Sequence, residues 1–127
     1  MISFEAFRQT DGTPIYLQII RYIQQGLAAG TIQDGDELPS RRVLSALLGI
    51  NPNTVQKAFH ILEEEHLMES RTGAKSCMTL PPDILDALRR EVLSYELCTM
   101  ARTLRQLGIS KEEALRLIEQ AWEEEAQ

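Results

Sequence analysis

Apolar residues recur every three or four positions in five stretches of this chain, which is the spacing of amphipathic α-helices. Ser40, Asn51 and Ser110 stand just before three of these stretches, where a short polar side chain can accept a hydrogen bond from an exposed backbone N–H. The pattern predicts helices at about Pro14–Ala29, Arg41–Leu48, Pro52–Glu65, Asp83–Leu107 and Lys111–Glu124.

Short stretches that suit β-strands lie between these helices. Glu37-Leu38 predicts one strand, which Pro39 prevents from continuing. Leu67–Arg71 and Ser76–Leu80 predict a hairpin around a tip that contains Gly73. A hairpin directly after two short helices is the wing of a winged helix. We therefore expect a mostly α fold with a small β-hairpin, in which a winged helix-turn-helix is followed by a two-helix dimerisation tail.

The segment Leu38–Leu67 has the outline of a helix-turn-helix, whose second helix lies in the major groove of DNA. From Leu38 to Leu62 it carries three positive charges and no acid. Its first helix is expected to turn an apolar face inward, formed by Val43, Leu44, Leu47 and Leu48. Polar and basic side chains at both helix starts and in the hairpin suit phosphates and base edges, namely Arg41, Arg42, Asn51, Asn53, Thr54, Gln56, Lys57, Arg71 and Lys75.

Pro81-Pro82 is the only double proline and predicts a boundary between a DNA-binding domain (residues 1–80) and a C-terminal dimerisation region (residues 81–127). Two helices leave an apolar face without a partner, and a second copy of the tail is the simplest one. The alternative use of this face is to line a ligand pocket. The residues expected at the interface are Leu93, Leu97, Met100, Leu104 and Leu107, which step by four and three, and Leu115, Ile118 and Trp122 of the last helix.

The length of 127 residues suits one compact domain with an appendage. The net charge of -6 at first disfavours binding to nucleic acid. However, residues 1–80 carry 7 basic and 9 acidic residues, a net charge of -2, whereas residues 81–127 carry 6 and 10, a net charge of -4. Most of the acidic excess therefore lies in the tail. No apolar run approaches the ~20 residues of a membrane span, and the N-terminus lacks a signal peptide's apolar core. We expect a cytoplasmic protein that contacts no membrane.

The residues that could hold a metal or react chemically are few. Cys77 and Cys98 have no metal-like spacing and are interpreted as free thiols, with a redox sensor as the alternative. His60 and His66 are six residues apart, which does not place them together on one helical face. We expect neither a metal nor a cofactor, and no catalytic residues.

The chain resembles the GntR family of bacterial transcription regulators, specifically the short YtrA-like subfamily. The matching residues are Pro14-Ile15-Tyr16-Leu17-Gln18-Ile19, Gly30 with Ile32, Gly35-Asp36-Glu37-Leu38-Pro39-Ser40 with Arg42, Asn51-Pro52-Asn53-Thr54-Val55 with Lys57-Ala58, and Leu62-Glu63 with Glu65 and Leu67. The resemblance implies a homodimeric winged-helix repressor or activator, and such proteins often regulate neighbouring transporter genes. It implies DNA contacts by Ser40, Arg42, Asn53, Thr54 and Lys57, and a wing glycine at Gly73 with Arg71 beside it.

The chain departs from the family pattern at three positions. The family usually has glycine where His66 stands, at a turn that favours a positive φ. It also usually has a second wing glycine and an aromatic residue, where this chain has Lys75 and Cys77.

Three functions are compared. The first is a sequence-specific DNA-binding regulator, expected to be a repressor, that acts as a homodimer on a palindromic operator. The second is a winged helix used for protein contacts without specific DNA binding. The third is an enzyme, which the absence of a nucleophile–base pair, phosphate loop or metal-ligand spacing disfavours. An unknown small-molecule effector stays open, although about 45 residues after Pro82 are too few for the usual enclosed pocket.

Overall fold

This computed structural model describes residues 1–70 and 75–126. In this part of the chain there are five helices and three short strands. The prediction of a mostly helical chain with a small sheet is confirmed. In chain order the elements are α1 (Ile15–Ala29), β1 (Glu37–Leu38), α2 (Arg41–Leu48), α3 (Pro52–Glu64), β2 (Met68–Ser70), β3 (Ser76–Met78), α4 (Pro82–Gln106) and α5 (Lys111–Glu125).

The three strands form one antiparallel sheet in the order β1-β3-β2. Glu37 lies opposite Cys77, and Met68 lies opposite Met78. The first hairpin strand begins one residue later than predicted and the second ends two residues earlier, although the Thr79 N–H still donates to the Leu67 carbonyl across the hairpin. The Leu67 N–H donates to the Leu62 carbonyl at the end of α3, and the Leu80 N–H donates to the Asp34 carboxylate at 2.6 Å.

The chain divides into two compact units, and the first, Met1–Val92, has a closed hydrophobic core. Helices α1, α2 and α3 and the sheet surround this core. The start of α4 also belongs to it, since Leu88 is buried and Val92 packs against the cluster. The unit thus extends beyond residue 80, where Pro81-Pro82 predicted a boundary, and the functional division into two regions stays a prediction. The largest fully buried side chains are Ile19, Ile23, Leu27, Leu38, Leu44, Leu62, Leu67, Met78 and Val55.

The N-terminal segment before α1 is irregular, as predicted, but it contributes to the core. The Phe4 and Phe7 rings lie 5.0 and 5.5 Å from the Tyr22 ring, measured between centroids. The Ile2 N–H donates to the Glu37 carbonyl at 2.8 Å, which ties the segment to the sheet. Apolar periodicity could not predict this packing because the segment has no regular secondary structure.

The inward face of α2 differs from the prediction. Leu44 is buried, whereas Val43 is 48% exposed and Leu47 is 67% exposed. Ser45 takes part in the inward face instead, because its hydroxyl donates to the Ile50 carbonyl at 2.7 Å and holds the turn into α3. A two-turn helix buries a narrow stripe, so adjacent apolar residues fall outside it.

The second unit, Leu93–Gln127, contains the end of α4 and all of α5. No residue from Leu93 to Ala126 is buried. Ser110 caps α5 as predicted, since its hydroxyl accepts from the Glu113 N–H at 3.2 Å. The helices of this unit are locally well formed, yet their apolar faces remain open to solvent.

Candidate nucleic-acid interface

The start of α2 presents two arginines beside free backbone amides. The Ser40 hydroxyl accepts from the Val43 N–H at 3.2 Å and caps the helix. Arg41 and Arg42 are exposed in the first turn, which contains no acidic residue. Because the N-terminal dipole disfavours cations, these arginines are best placed when an anion binds between them and the amides.

The start of α3 presents amide side chains. The side-chain oxygen of Asn51, Oδ1, accepts a hydrogen bond from the Asn53 N–H at 2.8 Å. Pro52 follows in the first helical position. The hydrogen bond and the proline fix the first turn of α3. Asn53 and Gln56 are exposed there, whereas Thr54 is half-buried. Asn and Gln side chains can both donate to and accept from the edge of a base.

An open groove with a volume of about 720 Å³ joins these two helix starts to the sheet. It combines three basic side chains with several amides and hydroxyls, and so suits a polyanion with hydrogen-bonding edges. The residues that line it are Ser40, Arg41, Arg42, Pro52, Asn53, Gln56, Phe59, His60, Glu63, Met68, Ser70, Lys75 and Ser76.

Six of the eleven residues predicted to bind DNA therefore lie along one groove: Ser40, Arg41, Arg42, Asn53, Gln56 and Lys75. Asn51, Thr54 and Lys57 do not line it. The Lys57 ammonium instead lies 4.1 Å from the centroid of the Tyr16 ring of α1, a cation–π contact. Arg71 and Gly73 lie outside the described residues.

Four polar residues of the groove were not among the predicted contacts: His60, Glu63, Ser70 and Ser76. Asn53, Gln56, His60 and Glu63 are separated by three, four and three residues, so they share one face of α3. This spacing was visible in the sequence. The contribution of Ser70 was not, because it depends on how β2 lies against α3.

The two strands beside the groove are connected to α3 by a strained turn. His66 has a φ of 62°, in the left-handed region, at the position where the resemblance places glycine. The His66 N–H donates to the Glu63 carbonyl at 3.0 Å, and the Thr79 hydroxyl donates to the His66 carbonyl at 2.9 Å. These two bonds hold a conformation that costs about 1–3 kcal/mol for a residue with a side chain.

The charges around the groove are mostly exposed. The Lys75 ammonium lies 3.6 Å from the Glu37 carboxylate, a solvent-exposed pair that contributes little stability. At the end of α3, outside the groove, desolvation by neighbouring residues raises the pKa of the solvent-exposed Glu65, and the nearby Glu91 carboxylate raises this pKa further. A hydrogen bond from Gln24 acts in the opposite direction on the same pKa.

Two other kinds of site are absent from the described residues. No three or more His, Cys, Asp or Glu side chains are grouped so as to hold a metal ion. No helix in this part of the chain is long and apolar enough to cross a membrane.

Comparison with known proteins identifies the family. Residues 15–75 match the family described as bacterial regulatory proteins, gntR family. The HTH-type transcriptional regulator YhcF of Bacillus subtilis (strain 168) is 32% identical over 102 residues, which cover 80% of this chain and 84% of that protein. The chain belongs to the GntR family.

One further relative and one solved structure are similar to this GntR-family chain. The HTH-type transcriptional repressor YtrA of Bacillus subtilis is 44% identical over 61 residues, which are 48% of this chain and 47% of that protein. The solved structure of a GntR family transcriptional regulator from Listeria monocytogenes superposes with a TM-score of 0.74 at 29% identity, covering 88% of this chain and 98% of that one. The chain is a DNA-binding transcriptional regulator with a winged helix-turn-helix, and it is not an enzyme.

Proposed function

We propose that this regulator is a homodimeric repressor that binds a palindromic operator through the groove between α2, α3 and the sheet. The observation that carries the proposal is the joint placement of Arg41, Arg42 and Lys75 with the amides of Asn53 and Gln56 along one groove. Cations supply affinity for the phosphates, and amides supply the choice of bases.

Each side chain has a distinct role in this proposal. Arg42 and Arg41 bind a phosphate together with the capped N-terminus of α2, which fixes the position of the protein on the duplex. Asn53 and Gln56 meet base edges in the major groove, where such amides pair in bidentate fashion with adenine N6 and N7. Lys75 binds a phosphate on the side of the sheet.

Homodimerisation is proposed from the open apolar faces of the second unit. Leu107 is 70% exposed and Trp122 is 74% exposed. None of the described residues of this unit is buried. Exposed apolar surface on this scale marks an interaction site in a stable protein. The proposed interface comprises Leu93, Leu97, Met100, Leu104, Leu107, Leu115, Ile118 and Trp122, of which Leu104 and Ile118 are half-buried and the others exposed.

Repression is proposed from similarity to YtrA of Bacillus subtilis, which is named a transcriptional repressor. A bound dimer would exclude the transcription machinery from the DNA that it covers. The subfamily resemblance extends the proposal to a neighbouring transporter operon, and it leaves an effector unassigned.

The proposal is tested by titrating the full chain onto the DNA upstream of its own gene and onto an unrelated duplex of equal length. We expect the upstream DNA to bind at least ~10³-fold more tightly at physiological salt, as specific sites do. Arg42→Ala should lower affinity by about 10-fold or more and reduce the salt dependence by about one phosphate contact. Arg89→Ala is the matched control, since Arg89 is exposed on α4 and does not line the groove. Equal affinity for both duplexes would favour the protein-contact function instead.

A further inference from the structure

We propose that Glu63 is a specificity-determining residue of this groove, whose carboxylate favours an operator that presents a cytosine amino group. The inference rests on the proposed function, because it assigns a further contact to the same DNA-binding surface. It concerns a residue type that ordinarily repels DNA, so its position requires an explanation.

Glu63 lies on the face of α3 that begins with Asn53 and continues through Gln56 and His60, and all four side chains line the groove. With a rise of 1.5 Å per residue, Asn53 and Glu63 are about 15 Å apart along the helix axis. The major groove of B-DNA admits an α-helix, and the inference places this whole face of α3 toward the base edges. The face that starts with the amides therefore ends with an acid.

Hydrogen bonding fixes the Glu63 carboxylate within the groove. The Ser70 hydroxyl of β2 donates to Glu63 Oε1 at 2.6 Å, and Ser70 lines the groove as well. A carboxylate has about four acceptor positions, so this bond leaves capacity for a donor from DNA. The next acid along the chain, Glu64, does not line the groove and is paired with His60 Nε2 at 2.7 Å.

The charges of the groove explain what such a carboxylate does. The other charged side chains that line it are the basic residues Arg41, Arg42 and Lys75. A fixed negative charge among them repels phosphates in every sequence, and only a hydrogen-bond donor on a base offsets this repulsion. Cytosine N4 is the major-groove donor that pairs with Glu and Asp. Since specificity is a difference between affinities, a residue that weakens binding to wrong sequences raises specificity.

The test selects tight-binding duplexes from a pool of random DNA sequences, with the full-length wild type and Glu63→Gln in parallel at one salt concentration. We expect the wild type to enrich a C·G pair at one position of each half-site, and the variant to lose that preference by about fivefold or more. The variant should also bind a fixed duplex of unrelated sequence more tightly than the wild type. A motif that is unchanged in the variant would overturn the inference, whatever its affinity for the unrelated duplex.

Two further variants separate the base contact from a general effect of charge. Ser70→Ala keeps the charge but removes the bond that orients Glu63, so it should weaken the C·G preference. Glu69→Gln removes the same charge from a neighbouring strand residue that does not line the groove, so its motif should match the wild type. If Glu69→Gln alters the motif as much as Glu63→Gln, the inference fails. If the wild type enriches no motif, both the proposed function and this inference fail. A motif that all variants share contradicts only the role of Glu63.

Discussion

The two compact units carry the same kind of apolar periodicity but use it differently. In Met1–Val92 the apolar faces of α1, α2 and α3 meet one another and the sheet, and their central residues are fully buried. In the described residues from Leu93 onward, no side chain is buried although several leucines and a tryptophan repeat at helical spacing. The first unit thus completes its own core, whereas the described apolar residues of the second stay open to solvent, where we propose that a second copy covers them. Folding and assembly should therefore respond to different substitutions.

The largest expected effect is on assembly. Leu97→Glu places a charge in the proposed dimer interface, so the protein should become monomeric. Its affinity for a duplex with two half-sites should fall by about 10²–10⁴-fold, because the two half-sites are then bound by separate molecules. Sedimentation equilibrium and DNA titration measure the two effects.

Thr99→Glu is the matched control for this variant, since Thr99 is exposed on the opposite side of α4 from Leu97. It should leave the dimer intact. A Leu97→Glu protein that remains dimeric would show that the open face of the second unit is not the interface.

The next effect concerns the core of the first unit. Leu44→Ala removes a side chain with 0% exposure and should lower the free energy of unfolding by about 2–5 kcal/mol. Leu47→Ala, on the same helix but 67% exposed, should change it by about 0.5 kcal/mol or less. Chemical denaturation of both variants measures the difference. Equal losses would mean that the inward face of α2 has been assigned incorrectly.

A smaller effect is expected at the turn after α3. His66→Gly relieves the positive φ and should raise the free energy of unfolding by about 1 kcal/mol. His66→Ala keeps a Cβ and should give no such gain. Thermal or chemical unfolding of the two variants distinguishes relief of backbone strain from loss of the imidazole, and equal stabilisation by both would argue against strain.

The smallest effect is the pH dependence of Glu65. Its pKa in the folded protein is raised above the ordinary value, so the ionised carboxylate slightly lowers stability at pH 7. Glu65→Gln should accordingly be slightly more stable than the wild type at pH 7. This gap should close as the pH falls through the raised pKa to below 4.5, where Glu65 is protonated in both the folded and unfolded states. A gap that widens on acidification would contradict the raised pKa.

Features that depend on a few neighbouring residues could be predicted from the sequence. The caps at Ser40, Asn51 and Ser110 and the bounds of α2 are of this kind, because they follow from local hydrogen bonding. The basic and amide residues at the two helix starts were also predicted. The structure brings most of them together in one groove.

Features that depend on distant parts of the chain were missed. Phe4 and Phe7 pack against Tyr22 without any periodic signal, and Ser70 reaches Glu63 only through the fold. The exposed face of α2 shows the same limit, since apolar spacing cannot tell which neighbours will cover a residue.

We propose that this regulator reads DNA as a pair of first units joined through the second. The most direct measurement compares the affinity of the full chain for its selected palindromic duplex with that for a duplex carrying about five extra base pairs between the half-sites, half a helical turn. We predict that the insertion lowers affinity by about 10²-fold or more, to the level of a single half-site. Equal affinity for the two duplexes would contradict the claim.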